Sequence, residues 1–255
     1  HREKDEVESL DELRKAATEA DAVLFIGGLN KRSHQDCEGR DRQDFSLPYG
    51  QDAVIEALCE ANPRTAVVIV SGNAVAMPWV DKANAIVQGW YLGSEAGNAL
   101  ANVLSGKVNP SGKLPMTIER SFKDSPAANL VPKNASLSKA KGNPNEKLFH
   151  PATYDVHYSE GIFVGYRWYE SKNIKPLYPF GFGLSYTSFA LNEAKAENSI
   201  VAPKKPATVS VTLTNTGKRE GAEVVQLYVT ENNPTVARPK KELKAFKKVI
   251  LAPGA

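Results

Sequence analysis

Cysteine is scarce in this chain: 255 residues contain two, Cys37 and Cys59. Two thiols cannot build a disulfide framework, and neither stands in a CxxC or CxxH spacing that would hold a metal. Free thiols of this kind do not fix the redox compartment. Long apolar runs are also missing. None approaches the roughly 18 residues that a membrane-spanning helix requires, and the opening HREKDEVESL has no apolar signal region, so any signal would lie upstream. Charge of one sign is not concentrated either. The net formal charge is +3, and the densest basic run, ARPKKELKAFKK, alternates with apolar positions like a solvated strand face. The basic stripe interleaved with aromatics that nucleic acid demands is absent. There is no GxGxxG, no GxxxxGK[ST] and no GxSxG, which removes the common dinucleotide, phosphate-loop and serine-hydrolase signatures. Neither nucleic acid nor membrane is expected as a partner, and no cofactor or metal is called for.

What is present has the balance of a folded globular protein, 42% apolar and 24% charged. The length exceeds one average domain and implies two, or one and part of another. SLDELRKAATE places Leu10, Leu13, Ala16 and Ala17 at helical spacing, with Ser9 and Glu12 as a capping box. Short apolar runs at 22–26, 66–70 and 85–90 alternate with helical patterns at 51–61 and 94–104, and Pro78–Trp79 reads as a helix start. Such alternation predicts an α/β domain, a mainly parallel sheet with helices on both faces, over residues 1–118. Residues 119–157 are rich in Pro, Asn, Ser and Lys and read as a wrapping linker. Together with the aromatic segments that follow they form a region, 119–190, completing or flanking that domain. From Ala207 the pattern alternates strictly: Val209, Val211 and Leu213 share one face, Thr212 and Thr214 the other. Three or four strands fall short of the roughly seven of a sandwich, so 191–255 is expected to be an incomplete all-β domain.

The stretch GGLNKRSHQDCEGRDRQDFSLPYGQ, residues 27–51, follows the first strand. In open parallel sheets ligands bind outside the carboxyl ends of the strands, and this loop carries Asp36, Glu38, Asp41 and Asp44 against Arg32, Arg40 and Arg42. A polar loop is a solvated surface by default. The phosphate reading is weak because these carboxylates would repel the anion.

Five blocks change the weighing. CEGRDRQDFSLPYGQ, NPRTAVVIVSGNAVAMPW, AIVQGWYLGSEAGNALANVLSGKVNPSGKLPMTI, EGIFVGYRWYE and PFGFGLSYTSF resemble, in sequence and order, family 3 glycoside hydrolases of the β-glucosidase kind. RPKKELKAFKKVILAPGA is similar to the fibronectin-III-like module of that family. The resemblance runs from about Ala22 to Ala255. It implies an α/β sandwich whose loop leans over the active-site mouth of an N-terminal (β/α)8-type barrel, which this chain lacks and which supplies the nucleophilic Asp. The general acid/base of similar members is the Glu of an [ST]-E-G-x-D-R stretch, and it falls on Glu38. Cys37 replaces the usual Ser or Thr, a small-for-small change.

The implied chemistry is retaining hydrolysis of terminal non-reducing β-D-glycosyl residues. It needs two carboxyl groups roughly 5 to 5.5 Å apart, one a nucleophile and one that protonates the leaving oxygen. Glu38 is the second of these. It has to be protonated when substrate arrives, which covering by barrel and sugar favours. Asp36 is the rival carboxylate and, with His34, a candidate for contacting substrate. Asp41 and Arg42 are expected to brace the loop through a charge-assisted pair. Trp79, Trp90 with Tyr91, and Trp168 read as packing rather than sugar platforms. The implied partners are a β-linked oligosaccharide or glycoside and the barrel of the same enzyme, and the implied location is periplasmic or secreted, with the cytoplasm left open. The competing reading is a non-catalytic accessory protein that binds carbohydrate or a protein partner.

Overall fold

The structure, a computed structural model, describes residues 10–32, 34–38, 42, 44–129, 158–198 and 205–255. Along the chain the elements are α1 (Leu10–Glu19), β1 (Val23–Gly28), α2 (Gln51–Ala61), β2 (Thr65–Val70), β3 (Ala85–Gln88), α3 (Ala96–Leu104), α4 (Tyr166–Ser171), β4 (Phe189–Ala196), β5 (Val209–Asn215), β6 (Gly221–Val229) and β7 (Glu242–Leu251). They divide into two compact units. The first comprises 1–96 with 117–178, the second 97–116 with 179–255.

In the first unit β1, β2 and β3 form one parallel sheet with β2 in the middle, in register Val23 to Thr65 and Ala66 to Ala85. β2 is the most hidden element: Val67, Val68 and Ile69 are 0% exposed. That is what a continuous TAVVIV run predicts for a strand covered on both faces. α2 packs through Ile55, Leu58 and Cys59, spaced three and four apart, while Glu56 and Glu60 face outward and both pair with Lys82. Asn62 ends α2 and also closes α1, donating through Nδ2 to the carbonyls of Ala17 (2.9 Å) and Ala20 (2.8 Å). Two orphan carbonyls of a helix end are thereby satisfied by one buried side chain. Gly28, at φ 140°, ends β1; a Cβ there would collide with the Val70 carbonyl oxygen. This close approach lets Leu29 N–H bond Val70 O at 2.8 Å.

The expected helix start at Pro78–Trp79 is instead a pair of turns. Val80 N–H reaches Met77 O, Lys82 and Ala83 N–H reach Trp79 O, and Asn84 N–H then pairs with Thr65 O, drawing the chain into β3 before a helix can propagate. The Ser9 cap and residues 130–157 of the linker lie outside the described residues. After Thr117 the chain makes two short 3-10 turns, Phe122–Asp124 and Pro126–Asn129. A single bridge then pairs Ile118 with Tyr178.

The second unit is built on two antiparallel pairs, β4 with β5 and β6 with β7. The buried side chain of Asn215 joins them: Nδ2 donates to Arg219 O (2.7 Å) and Leu251 O (3.0 Å), and Oδ1 accepts from Thr187 Oγ1 (2.8 Å) and Gly217 N–H (3.1 Å). Segment 97–116 belongs with these strands through Asn109, which donates to Glu220 O and accepts from Ser185 Oγ and Tyr186 N–H. A half-buried ion pair, Lys113 with Glu223 at 2.7 Å, adds to this. The architecture is therefore a parallel α/β sheet with helices and a partial antiparallel sandwich. Among the described residues no helix is long and apolar enough to cross a membrane.

Candidate active site

The loop between β1 and α2 is closed at its base by one side chain. Gln51, the first residue of α2, accepts from Gly28 N–H at 2.7 Å and donates to Gly28 O and Pro48 O, each at 2.9 Å. β1 pairs only with β2 among the described strands, so the outer face of its last peptide would otherwise lack a partner. The amide of Gln51 substitutes for a neighbouring strand.

Within the loop, Asn30 forms an Asx turn by accepting from Arg32 N–H at 2.8 Å. Gln35, 9% exposed, accepts from Asn30 N–H at 3.0 Å and donates to Tyr49 Oη at 2.7 Å, linking the two legs. His34 and Tyr49 both sit at positive φ, 64° and 61°, a conformation that side-chain-bearing residues rarely adopt.

Asp36 is the hub. Its Oδ2 accepts from Gly72 N–H and Tyr91 Oη, both at 2.7 Å, and its Oδ1 accepts from Asn73 Nδ2 at 2.9 Å. The loops that follow β1, β2 and β3 thus meet on one carboxylate. Gly72 leaves the necessary room: a Cβ would stand 3.2 Å from Asp36 Oδ2 and from the Tyr91 ring. Burial, then the hydrogen bond to Asp36, raise the phenol of Tyr91 well above its ordinary range. It stays a donor at any working pH.

Arg42 makes the second anchor. Its Nη2 donates to Ala74 O at 2.6 Å and its guanidinium lies 5.6 Å from the Phe45 ring centroid. Burial pulls its pKa down while the charges of Asp36, Glu119 and Asp44 push it up, with burial the larger. Glu119, 8% exposed, has its carboxyl pushed up by burial, partly offset by its own backbone N–H, by Tyr169 and by Arg42. Asp41, expected to pair with Arg42, lies outside the described residues. Farther along, Asp52 accepts from Leu47 N–H (3.0 Å) and from Trp79 Nε1 (2.8 Å).

Glu38 sits in an exposed turn between these two anchors. Asp36 and Arg42 both stand on consecutive residues, 72–74, of the segment leaving the buried central strand. Glu38 thus lies in the chain between two residues that are each held to the sheet edge, with its own side chain exposed. His34, four residues earlier in the same loop, is exposed as well. Among the described residues no group of three His, Cys, Asp or Glu is arranged to hold a metal.

Two of the three tryptophans are structural. Trp79 is 0% exposed, and Trp168 donates to Asp124 O at 3.0 Å with Lys172 over its ring. Tyr91 departs from the packing expectation, being 51% exposed and bonded to Asp36. Sequence reasoning also missed Gln35, Gln51, Gly72 and Asn73. The polar SGN immediately after an apolar strand was the available signal, since it puts donors at a sheet edge.

The model for the glycosyl hydrolase family 3 C-terminal domain matches residues 3–166, and that for the fibronectin type III-like domain matches 223–255. The β-glucosidase BoGH3A of Bacteroides ovatus is 45% identical over 250 residues, covering 96% of this chain and 32% of its own length. Thermostable β-glucosidase B of Acetivibrio thermocellus is 40% identical, covering 97% of this chain and 30% of its own length. Among solved structures, the β-glucosidase of Kluyveromyces marxianus in complex with glucose superposes with a TM-score of 0.84 at 38% identity, over 100% of this chain and 28% of that one. The chain spans about a third of the length of these relatives. It belongs to glycosyl hydrolase family 3, carrying the C-terminal domain of that family followed by a fibronectin type III-like region.

Proposed function

We propose that this chain is the acid/base-bearing part of a retaining, exo-acting β-glycosidase, a β-glucosidase in the first instance. In this reading a carboxylate of a barrel outside the chain attacks the anomeric carbon while Glu38 gives its proton to the departing glycosidic oxygen. Glu38, now a carboxylate, then takes a proton from water as that water displaces the enzyme from the sugar, and both groups return to their starting states. The supporting observation is the exposed carboxyl of Glu38 at the carboxyl edge of a parallel sheet, within CEGRDR, on a loop anchored at Asp36 and Arg42. His34 lies near enough in sequence to contact a sugar hydroxyl. Asp36, with both oxygens engaged inside the chain, is assigned to holding the loop. The substrate is a glycoside or oligosaccharide with a terminal β-linked sugar, and the location is periplasmic or secreted, which fractionation of producing cells tests.

The decisive experiment uses the complete enzyme with Glu38→Ala. General acid catalysis is worth about 10² to 10⁴-fold, so hydrolysis of an alkyl glucoside should fall by that order. Aryl glucosides with a low-pKa phenol should still form the glycosyl-enzyme, which accumulates for want of a base. Azide needs no deprotonation and should restore turnover as the β-glycosyl azide. A Glu38→Ala enzyme that hydrolyses alkyl glucosides normally and ignores azide would defeat the assignment.

A further inference from the structure

Glu38 is exposed, yet a general acid has to meet the leaving oxygen within hydrogen-bond reach. Something must set where its turn lies. The nearest fixed point is two residues away, where Asp36 gathers Gly72 N–H, Asn73 Nδ2 and Tyr91 Oη at 2.7 to 2.9 Å. Two backbone features show that this junction is over-determined. His34 on the incoming leg and Trp90, directly before Tyr91, both take left-handed conformations, at φ 64° and 53°. Neither is a glycine. Such conformations persist only where surrounding contacts enforce them, and here both lead into the same carboxylate. Tyr91, half exposed, is not held over Asp36 by burial of its ring.

We infer that Asp36 is a positioning residue for Glu38, with Tyr91 as the donor that locks it. The inference rests on the reading of Glu38 as acid/base. Asp36 does not touch substrate; it acts by holding the turn 36–38 against the segment leaving β2 and the exit from β3. A misplacement of about 1 Å can cost a reaction on the order of 10²-fold, and the cost should fall on the proton-transfer role of Glu38 rather than on sugar binding.

The test uses the complete enzyme with Asp36→Ala, Asp36→Asn, Tyr91→Phe, Glu38→Ala and the Asp36→Ala/Glu38→Ala double variant. The readout is kcat/KM across glycosides of graded leaving-group pKa. Asp36→Ala should lose about 10 to 100-fold on alkyl glycosides and only a few-fold on activated aryl glycosides. Asp36→Asn, which keeps one acceptor oxygen for Gly72 and Tyr91, should lie between it and the parent. Tyr91→Phe removes one hydroxyl from a half-exposed ring, so it folds even if the Asp36 variants do not, and should shift the leaving-group dependence in the same sense. In the Glu38→Ala background, Asp36→Ala should add nothing to that dependence, because the group it positions is gone. Equal losses on all leaving groups for Asp36→Ala and none for Tyr91→Phe would overturn the inference, as would an effect that persists undiminished without Glu38. If Glu38→Ala itself shows no leaving-group dependence, the acid/base reading falls, and this one with it.

Discussion

Replacing Gln51 by Ala removes the three hydrogen bonds that close the base of the 29–50 loop. Each is worth about 0.5–1.5 kcal/mol net, giving an upper sum of roughly 4.5 kcal/mol by the same rule. Water can reach part of this site and replace some of the loss, and Ala is a slightly better helix former than Gln by a few tenths of a kcal/mol. The expected cost is about 2 kcal/mol, carried by the first unit. All three tryptophans, Trp79, Trp90 and Trp168, lie in that unit, so urea unfolding followed by tryptophan fluorescence reports on it alone. The midpoint should fall with little change in m, since the same surface is exposed on unfolding. Gln51→Glu sharpens the logic. It keeps an acceptor for Gly28 N–H but turns a carboxylate oxygen toward the carbonyls of Gly28 and Pro48, so it should be worse than Ala at pH 7 and recover toward pH 4, where protonation supplies a donor. An Ala variant within about 0.5 kcal/mol of the parent, the range of ordinary surface changes, would refute the view that Gln51 stands in for a missing strand.

Asn215→Ala should destabilise the second unit by about 3 kcal/mol, because four buried bonds lose their partner; hydrogen exchange should quicken at β5 and β7 amides and stay unchanged in β2. Trp79→Phe should cost the first unit about 2–3 kcal/mol through lost volume and the loss of the donor to Asp52 Oδ1, read by thermal unfolding. Glu119→Gln should stabilise the protein at pH 7. Burial raises the folded-state pKa of Glu119 above the ordinary 4.5, so the native state holds its proton to higher pH than the unfolded chain, and stability falls as pH rises through that interval. The advantage of Gln should therefore shrink on acidification and vanish below about pH 4; an advantage independent of pH would count against the burial argument.

The sheet was legible because its signals are local. TAVVIV is apolar at every position, and the helix at Gln51–Ala61 shows its three-and-four spacing directly. β7 likewise runs the whole of ELKAFKKVIL. The site was legible only in part. Glu38 and Arg42 stand out as charged residues in a family block, but the role of Asp36 depends on β1, β2 and β3 lying side by side, so that residues 36, 72 and 91 become neighbours. No spacing in the chain encodes that adjacency. Tyr91 was unreadable for a related reason: a tyrosine ending an apolar strand usually packs, and only the left-handed turn at Trp90 swings it outward. Pro78–Trp79 misled because Pro does suit a helix start, while the pairing of Asn84 with Thr65 claims the chain within one turn.

The two anchors on either side of Glu38 share a foundation, and this bears on which substitutions the site can accept. Asp36 takes Gly72 N–H and the Asn73 side chain, while Arg42 takes Ala74 O. Two of these three contacts are to backbone, so the identity of residue 74 matters little for hydrogen bonding. Its volume matters more, since Ala74 is 6% exposed and a larger side chain would push the segment off the sheet edge. Residue 72 is restricted by space as well, its Cβ position being hemmed by Asp36 and Tyr91. The segment hangs from Val67–Ile69, the least exposed part of the sheet, and close packing there leaves little slack. Rigidity thus passes from a wholly buried strand, through three consecutive residues, to both sides of an exposed turn. The proposed acid/base role asks for a carboxyl open to solvent next to anchored chain, and Glu38, two residues from Asp36, meets both demands.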